Sequence, residues 1–109
     1  MDLLEKDLAE LAAMLRAPDP ESRTRAGWRV QAAAAEIMFD MRPDRKDVVD
    51  VLRDGLHASN PNVRNWIASS LGARGPRARP FVQDLERALG DPDERVRGSA
   101  RRALHGIPP

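Results

Sequence analysis

The sequence predicts an all-α fold of three stacked helix pairs, about six helices in total. One pattern of a leucine, a polar turn and an arginine occurs three times along the 109 residues, and such self-similarity is typical of repeat architectures. Apolar residues follow each arginine after three and seven positions, which is the spacing of one helix face. No segment alternates between apolar and polar residues in the manner of a half-buried strand.

Each pair begins with an amphipathic helix whose apolar residues recur at spacings of three and four. Because such a helix exposes one apolar stripe, we expect that stripe to face the neighbouring helices. The three stripes are Leu4, Leu8, Leu11 and Leu15; Val48, Val49, Leu52 and Leu56; and Phe81, Val82, Leu85 and Leu89.

A polar turn then leads into the second helix of each pair. Asp19-Pro20 and Asn60-Pro61 each place a capping side chain before a proline at the first helical position. The segment Asp91-Pro92-Asp93-Glu94 offers the same chemistry, and the sequence leaves open which aspartate is the cap.

The second helix of the first unit is long, roughly residues 21–41, and is apolar on two faces. We expect its main buried face to hold Ala26, Val30, Ala33, Ile37 and Met41. The opposite stripe consists of Trp28, Ala32, Ala35 and Phe39. That second stripe either packs inside the stack or offers an apolar face to a partner.

Breaks in the helical pattern divide the chain into units. Pro43 ends the long helix, because the residue before proline avoids the α region, and the Gly72–Pro76 segment separates the last two units. We expect one domain over residues 1–109, with units of approximately 1–42, 43–74 and 75–109.

These residues resemble the HEAT-repeat family, in its short bacterial form related to the phycobilisome-lyase repeats. The resemblance implies a right-handed α-solenoid whose second helices line the concave surface. It also implies an internal ladder in which Arg23, Arg64 and Arg97 reach acidic loop residues of a neighbouring unit, although these arginines could instead form an anion site. The closest correspondence is Gly75-Pro76-Arg77-Ala78-Arg79-Pro80-Phe81-Val82 with Leu85, Leu89, Asp91-Pro92, Val96-Arg97, Ala100, Ala103 and Leu104.

Residues that could carry catalysis or bind a metal are sparse. The chain has no cysteine, and its two histidines, His57 and His105, read as separate solvated side chains. It lacks the His-Glu pairs with which the similar HEAT-fold deoxyhypusine hydroxylases bind iron, and it has no nucleotide-binding or nucleophile motif. We therefore expect no enzyme activity, no metal, no cofactor and no small-molecule substrate.

A non-catalytic scaffold or adaptor that binds a protein partner on its concave face is the function this sequence favours. Tryptophan and arginine are enriched at binding hot spots, and we expect Trp28, Arg29, Phe39 and Trp66 to contact the partner. Arg64 and Arg101 would lie at the polar margin of the same surface.

Three alternatives remain open. The C-terminal arginines could bind nucleic acid or phosphate. The chain could be an accessory subunit of an enzyme complex. It could also self-associate head to tail, since residues 1–55 carry a net charge of −3 and residues 73–109 a net charge of +3.

The location expected for the protein is the bacterial cytoplasm. The N-terminal residues lack the apolar centre of a signal peptide, and no apolar run approaches the roughly 20 residues of a membrane helix. The net charge of +1 for the whole chain does not by itself select a nucleic acid or a membrane as partner.

Overall fold

The computed structural model describes residues 27–109, together with residues 6, 9 and 10; for residues 27–31 it describes only the helical backbone. The apolar stripe of the predicted first helix, the Asp19-Pro20 turn, Ala26 and Arg23 lie outside the described residues. The side chains of Trp28, Arg29 and Val30 do so as well.

The described part of the chain contains α-helices and a 3-10 helix, and no strand occurs in residues 27–109. The prediction of an all-α fold is confirmed for these residues, while the sixth helix and the handedness of the stack stay predictions. The α-helices are α1 (Gly27–Met41), α2 (Lys46–Leu56), α3 (Pro61–Ala73), α4 (Val82–Ala88) and α5 (Glu94–His105), and the 3-10 helix Gly75–Phe81 precedes α4.

The helices form two layers. One layer contains α1, α3 and α5, with α3 packed against both of the others, and the second contains α2 and α4. Each helix of the second layer packs against the α-helix that follows it in the chain. Since a single pair cannot cover its own apolar stripes, burial requires the neighbouring units to stack.

Capping side chains define where α3 and α5 begin. The Oδ1 atom of Asn60 accepts a hydrogen bond of 2.9 Å from the backbone N–H of Asn62, and Pro61 occupies the first helical position. For α5 the cap is Asp93, whose Oδ1 accepts a hydrogen bond of 2.8 Å from the N–H of Arg95. Asp91, the other candidate, is thereby available for a different contact.

Two glycines are required by the backbone. Gly75 has a φ of +57°, a left-handed conformation that ends the run of α3 and starts the 3-10 helix. Gly55 lies where α2 crosses α3, and a Cβ atom there would lie only 2.8 Å from Cγ1 of Ile67. The close approach of these two helices therefore depends on the missing side chain.

The core lies between the two layers and uses the predicted stripes of α3 and α5. Val63, Ile67 and Leu71 are all buried, as are Val96 and Ala100. Phe39 from α1 and Phe81 from the 3-10 helix meet edge to face, with ring centroids 5.7 Å apart and an interplanar angle of 71°.

The prediction of which α1 face is buried was wrong. Ile37 and Met41 are 59% and 71% exposed, whereas Ala32, Ala35 and Phe39 are buried. The two alanines permit close packing of α1, and the Phe39 ring fills space against Phe81. Helical periodicity alone could not choose between two apolar stripes on one helix.

Replacing Ile67 with alanine is expected to lower the free energy of unfolding by about 2–5 kcal/mol, because it opens a cavity in the stack. Ile37→Ala is the matched control on an exposed helical site, with an expected change of about 0.5 kcal/mol or less. Urea denaturation of both variants measures the difference, and equal losses would contradict the assigned core.

Candidate functional site

The Arg64 side chain joins the second unit to the third. Its Nε and Nη2 atoms donate to the two carboxylate oxygens of Asp91 at 2.8 and 3.1 Å. Its Nη1 atom donates to the backbone carbonyls of Ala58 and Ser59 in its own unit, at 2.8 and 3.2 Å. The predicted ladder contact is confirmed for this arginine, which is a structural residue and not a free one at a surface margin.

Arg97 repeats only half of this arrangement. Its Nη1 donates to the carbonyls of Asp91 and Pro92 at 2.8 and 3.2 Å, as Arg64 does in the preceding unit. No carboxylate from the described residues approaches its Nε and Nη2 atoms. The predicted contact with an acidic residue of a neighbouring unit is therefore not made by Arg97 within this part of the chain.

Polar contacts also bind α1 to α3 across the same layer. The indole N–H of Trp66 donates to Oε1 of Glu36, and the ring is half-buried against the core. Arg74 forms a two-pronged ion pair with Asp40, at 3.1 and 2.8 Å. Part of the charge difference between the two ends of the sequence is thus neutralised inside the molecule.

An open groove of about 540 Å³ lies between α3 and α5. Asn65 and Ser69 contribute from α3, and four arginines with one glutamate contribute from α5. The full lining is Asn65, Ser69, Glu94, Arg95, Arg97, Gly98, Ser99, Arg101 and Arg102.

A short chain of hydrogen bonds crosses the floor of this groove. The buried Ser99 hydroxyl donates to Oδ1 of Asn65 at 2.6 Å and accepts from Nη2 of Arg102 at 3.1 Å. These bonds connect the two helices and orient the Arg102 guanidinium. The Asn65 amide is oriented by the same contact, because its oxygen is already engaged.

The arginines of the groove differ in how far they are already neutralised. Arg95 pairs with both carboxylate oxygens of Asp93, at 3.2 and 3.0 Å. These hydrogen bonds from the Arg95 side chain, together with those from the backbone N–H groups of Arg95 and Val96, lower the pKa of Asp93 to about 2. Arg101 is exposed and has no ion pair with a described residue. Cationic donors therefore remain available at Arg97, Arg101 and Arg102.

The family model for HEAT repeats matches residues 8–105 of the chain. The chain belongs to the HEAT-repeat family. HEAT repeats generally mediate protein–protein interactions and are typically non-catalytic. Searches of curated proteins and of solved structures each gave no match.

Of the sequence-predicted partner residues whose side chains are described, not all lie at the surface of this HEAT-repeat protein. Phe39 was expected at a partner surface and is instead buried, because it packs on Phe81 in the core. Arg64 is held by Asp91, and Trp66 is engaged by Glu36. Arg101 does line the groove. Trp28 and Arg29 fall in α1, with side chains outside the described residues.

Sequence reasoning missed the polar residues that build the groove in the HEAT stack. Asn65 and Ser69 are four residues apart and flank the buried stripe of α3, and Ser99 lies on the facing side of α5. Their shared helical spacing was the available signal. Single polar residues beside a core stripe are common on solvated helices, so that signal was weak.

The second cluster of charges in the HEAT stack joins α2 to α4. The buried carboxylate of Asp84 accepts from Nε of Arg53 at 2.9 Å and pairs with Nε2 of His57 at 3.0 Å. The Arg53 guanidinium also lies 5.8 Å from the centre of the Phe81 ring. His57 is 49% exposed, as expected of a solvated side chain, and it also links the two units through its contact with Asp84.

The described residues offer neither a cluster of metal ligands nor a helix that could span a membrane. They contain no group of three or more acidic, histidine or cysteine side chains suited to a metal ion. No helix within residues 27–109 has the length and apolar character needed to cross a bilayer.

A double-mutant cycle of Arg64→Gln and Asp91→Asn is expected to give a coupling energy of about 1–3 kcal/mol, because the side chains are only 14% and 10% exposed. The control cycle uses the exposed pair Lys46 and Asp50, for which about 0.5 kcal/mol or less is expected. Both are measured by urea denaturation. A coupling energy no larger than that of the control would contradict the assignment of the Arg64–Asp91 ion pair as a link between the two units.

Asp84→Asn is expected to destabilise the protein by about 1–3 kcal/mol at neutral pH, because the neutral amide keeps only one of the two oxygens that accept from Arg53 and His57. Burial alone would raise the pKa of Asp84, but the hydrogen bonds from His57 and Arg53 outweigh it and lower the pKa below 3.8. The difference from wild type should persist above pH 3.8 and shrink as the pH falls through the folded-state pKa. Denaturation of both proteins across this pH range tests the expected pH dependence. A stability difference between the variant and wild type that grows as the pH falls would refute it.

Proposed function

We propose that this HEAT-repeat protein is a non-catalytic interaction module that holds a segment of a protein partner in the groove between α3 and α5. The observation that supports this most directly is the convergence of hydrogen-bond donors from two successive units on one open groove. The groove belongs to the layer of second helices, which in this family lines the concave surface. The partner segment would therefore run across consecutive units.

The groove is suited to binding because its donors are oriented before a partner arrives. Ser99 is buried and bridges Asn65 to Arg102, so that two groove side chains are held on rigid helices. Binding to such a surface costs less conformational entropy than ordering a loop would. Selectivity would come from where the fixed donors stand along the groove.

The proposed contact residues are Asn65, Ser69, Arg101 and Arg102. They replace Phe39 and Arg64, which are occupied inside the structure. Trp28 and Arg29 belong to α1, which lies in the same layer as α3 and α5. Their contribution to partner binding stays a prediction. We place this binding in the cytoplasm, in a scaffold or adaptor role.

One alternative is favoured by a specific observation, the four arginines that line the groove against a single glutamate. Arginine also suits phosphate recognition, so the groove could hold a nucleic acid. The two functions differ in salt dependence, because each phosphate contact releases counterions and steepens the loss of affinity with ionic strength.

Photo-crosslinking tests the proposal directly. A photoreactive amino acid in place of the exposed Ser69 is expected to capture a polypeptide in the cells from which the gene comes. The same amino acid at Gln83, which is exposed on α4 outside the groove, is the control. A nuclease-sensitive adduct at Ser69 would support the nucleic-acid alternative, and equal capture at both sites would contradict the groove as the binding face.

A further inference from the structure

Arg64 lies one turn into the second helix of its unit, and its guanidinium is bound on two sides. One amino group is fixed by two carbonyls of the preceding turn, and the opposite edge grips a planar carboxylate through two parallel hydrogen bonds. Such two-pronged pairs combine charge with geometric selectivity. The Arg64 side chain is therefore a carboxylate-binding site within the protein.

Arg97 presents the same kind of site with its binding edge open. Its Nη1 atom makes the equivalent carbonyl contacts at the same distances, which fix the guanidinium of this half-buried residue. No described residue supplies a carboxylate to Nε and Nη2. Arg97 is also among the residues that line the groove, whereas Arg64 is not.

We propose that the open edge of Arg97 is the anchor of the groove and binds a glutamate or aspartate side chain in an acidic segment of the partner. This inference rests on the proposed function and names the chemistry of the ligand. Arg101 follows one helical turn later on α5, so it stands on the same face and can take a second carboxylate.

Charges around the groove favour separate carboxylates over a continuous polyanion. Glu94 lines the groove one turn before Arg97, and Asp93 and Asp91 lie beside the start of α5. Arg95 and Arg64 already occupy the last two acids. A phosphodiester backbone has regularly spaced negative charges, so some of them would lie close to these three acids. A peptide can have its carboxylates only at the positions that face arginines.

Fluorescence anisotropy with a labelled peptide of alternating glutamate and glycine tests the assignment. Arg97→Lys is expected to weaken binding about tenfold, because lysine keeps the charge but loses the two-pronged geometry. Arg79→Lys is the matched control, since Arg79 is exposed in the 3-10 helix outside the groove, and its affinity should equal that of wild type.

Several results would overturn the inference. If Arg101→Gln and Arg102→Gln weaken binding but Arg97→Lys does not, the groove stands as the binding face and the anchor is wrong. A wild-type protein that does not bind the peptide also refutes the anchor, while the crosslink at Ser69 still decides the proposed function. The inference is also overturned if single-stranded DNA binds more tightly than the peptide and Arg97→Lys weakens DNA binding as much as peptide binding. The open edge of Arg97 would then be a phosphate site.

A measurement on the wild-type protein removes any dependence on how a variant folds. In the NMR spectrum of arginine side chains, the Nε–Hε signal of Arg97 is expected to shift when the glutamate peptide is added. The signal of Arg64 is an internal control, because its edge already holds Asp91. A bound peptide that leaves the Arg97 signal unmoved would show that the anchor lies elsewhere.

Discussion

The ion pair between Arg64 and Asp91 is the contact on which the register of the described units depends. The guanidinium fixes the turn before α3 through two carbonyls and holds a carboxylate from the following unit. Asp91 in turn accepts from the N–H of Asp93, which caps α5. One largely buried pair therefore connects both turns and the start of the last helix. Because desolvation offsets much of the attraction between such charges, we attribute to it chiefly the alignment of units, and most of the stability to the apolar core.

That alignment explains why a polar groove exists at the edge of an apolar stack. The buried stripes of α3 and α5 point toward α2 and α4, so the positions beside those stripes face each other across the contact between α3 and α5. Asn65 and Ser99 are such positions, and their hydrogen bond joins the two helices. On the other layer, Asp84 plays the corresponding part with Arg53 and His57. The cluster of Asn65 and Ser99 lies in the groove beside the cationic donors of Arg97, Arg101 and Arg102, and we base the proposed function on it.

The sequence predicts the parts of this structure that repeat and misses those that depend on contacts between units. Asn60 and Pro61 mark the start of α3, and the stripes around Ile67 and Ala100 are buried as their spacing indicates. Phe39 was misplaced because two apolar stripes on one helix satisfy the same periodicity, and only the position of Phe81 decides between them. The roles of Arg64 and Arg97 differ although their local sequence is alike. The difference lies in Asp91, which reaches back from the third unit to the second, and no described residue does the same for the third.

We propose that the groove between α3 and α5 is the face that binds an acidic segment of a partner. The most direct measurement is a crystal structure of the protein with a glutamate-rich peptide. We expect the peptide to cross both helices, with one carboxylate bridging Nε and Nη2 of Arg97 as Asp91 bridges those atoms of Arg64. A peptide bound on the layer of α2 and α4, with the groove left open, would contradict the proposed binding face.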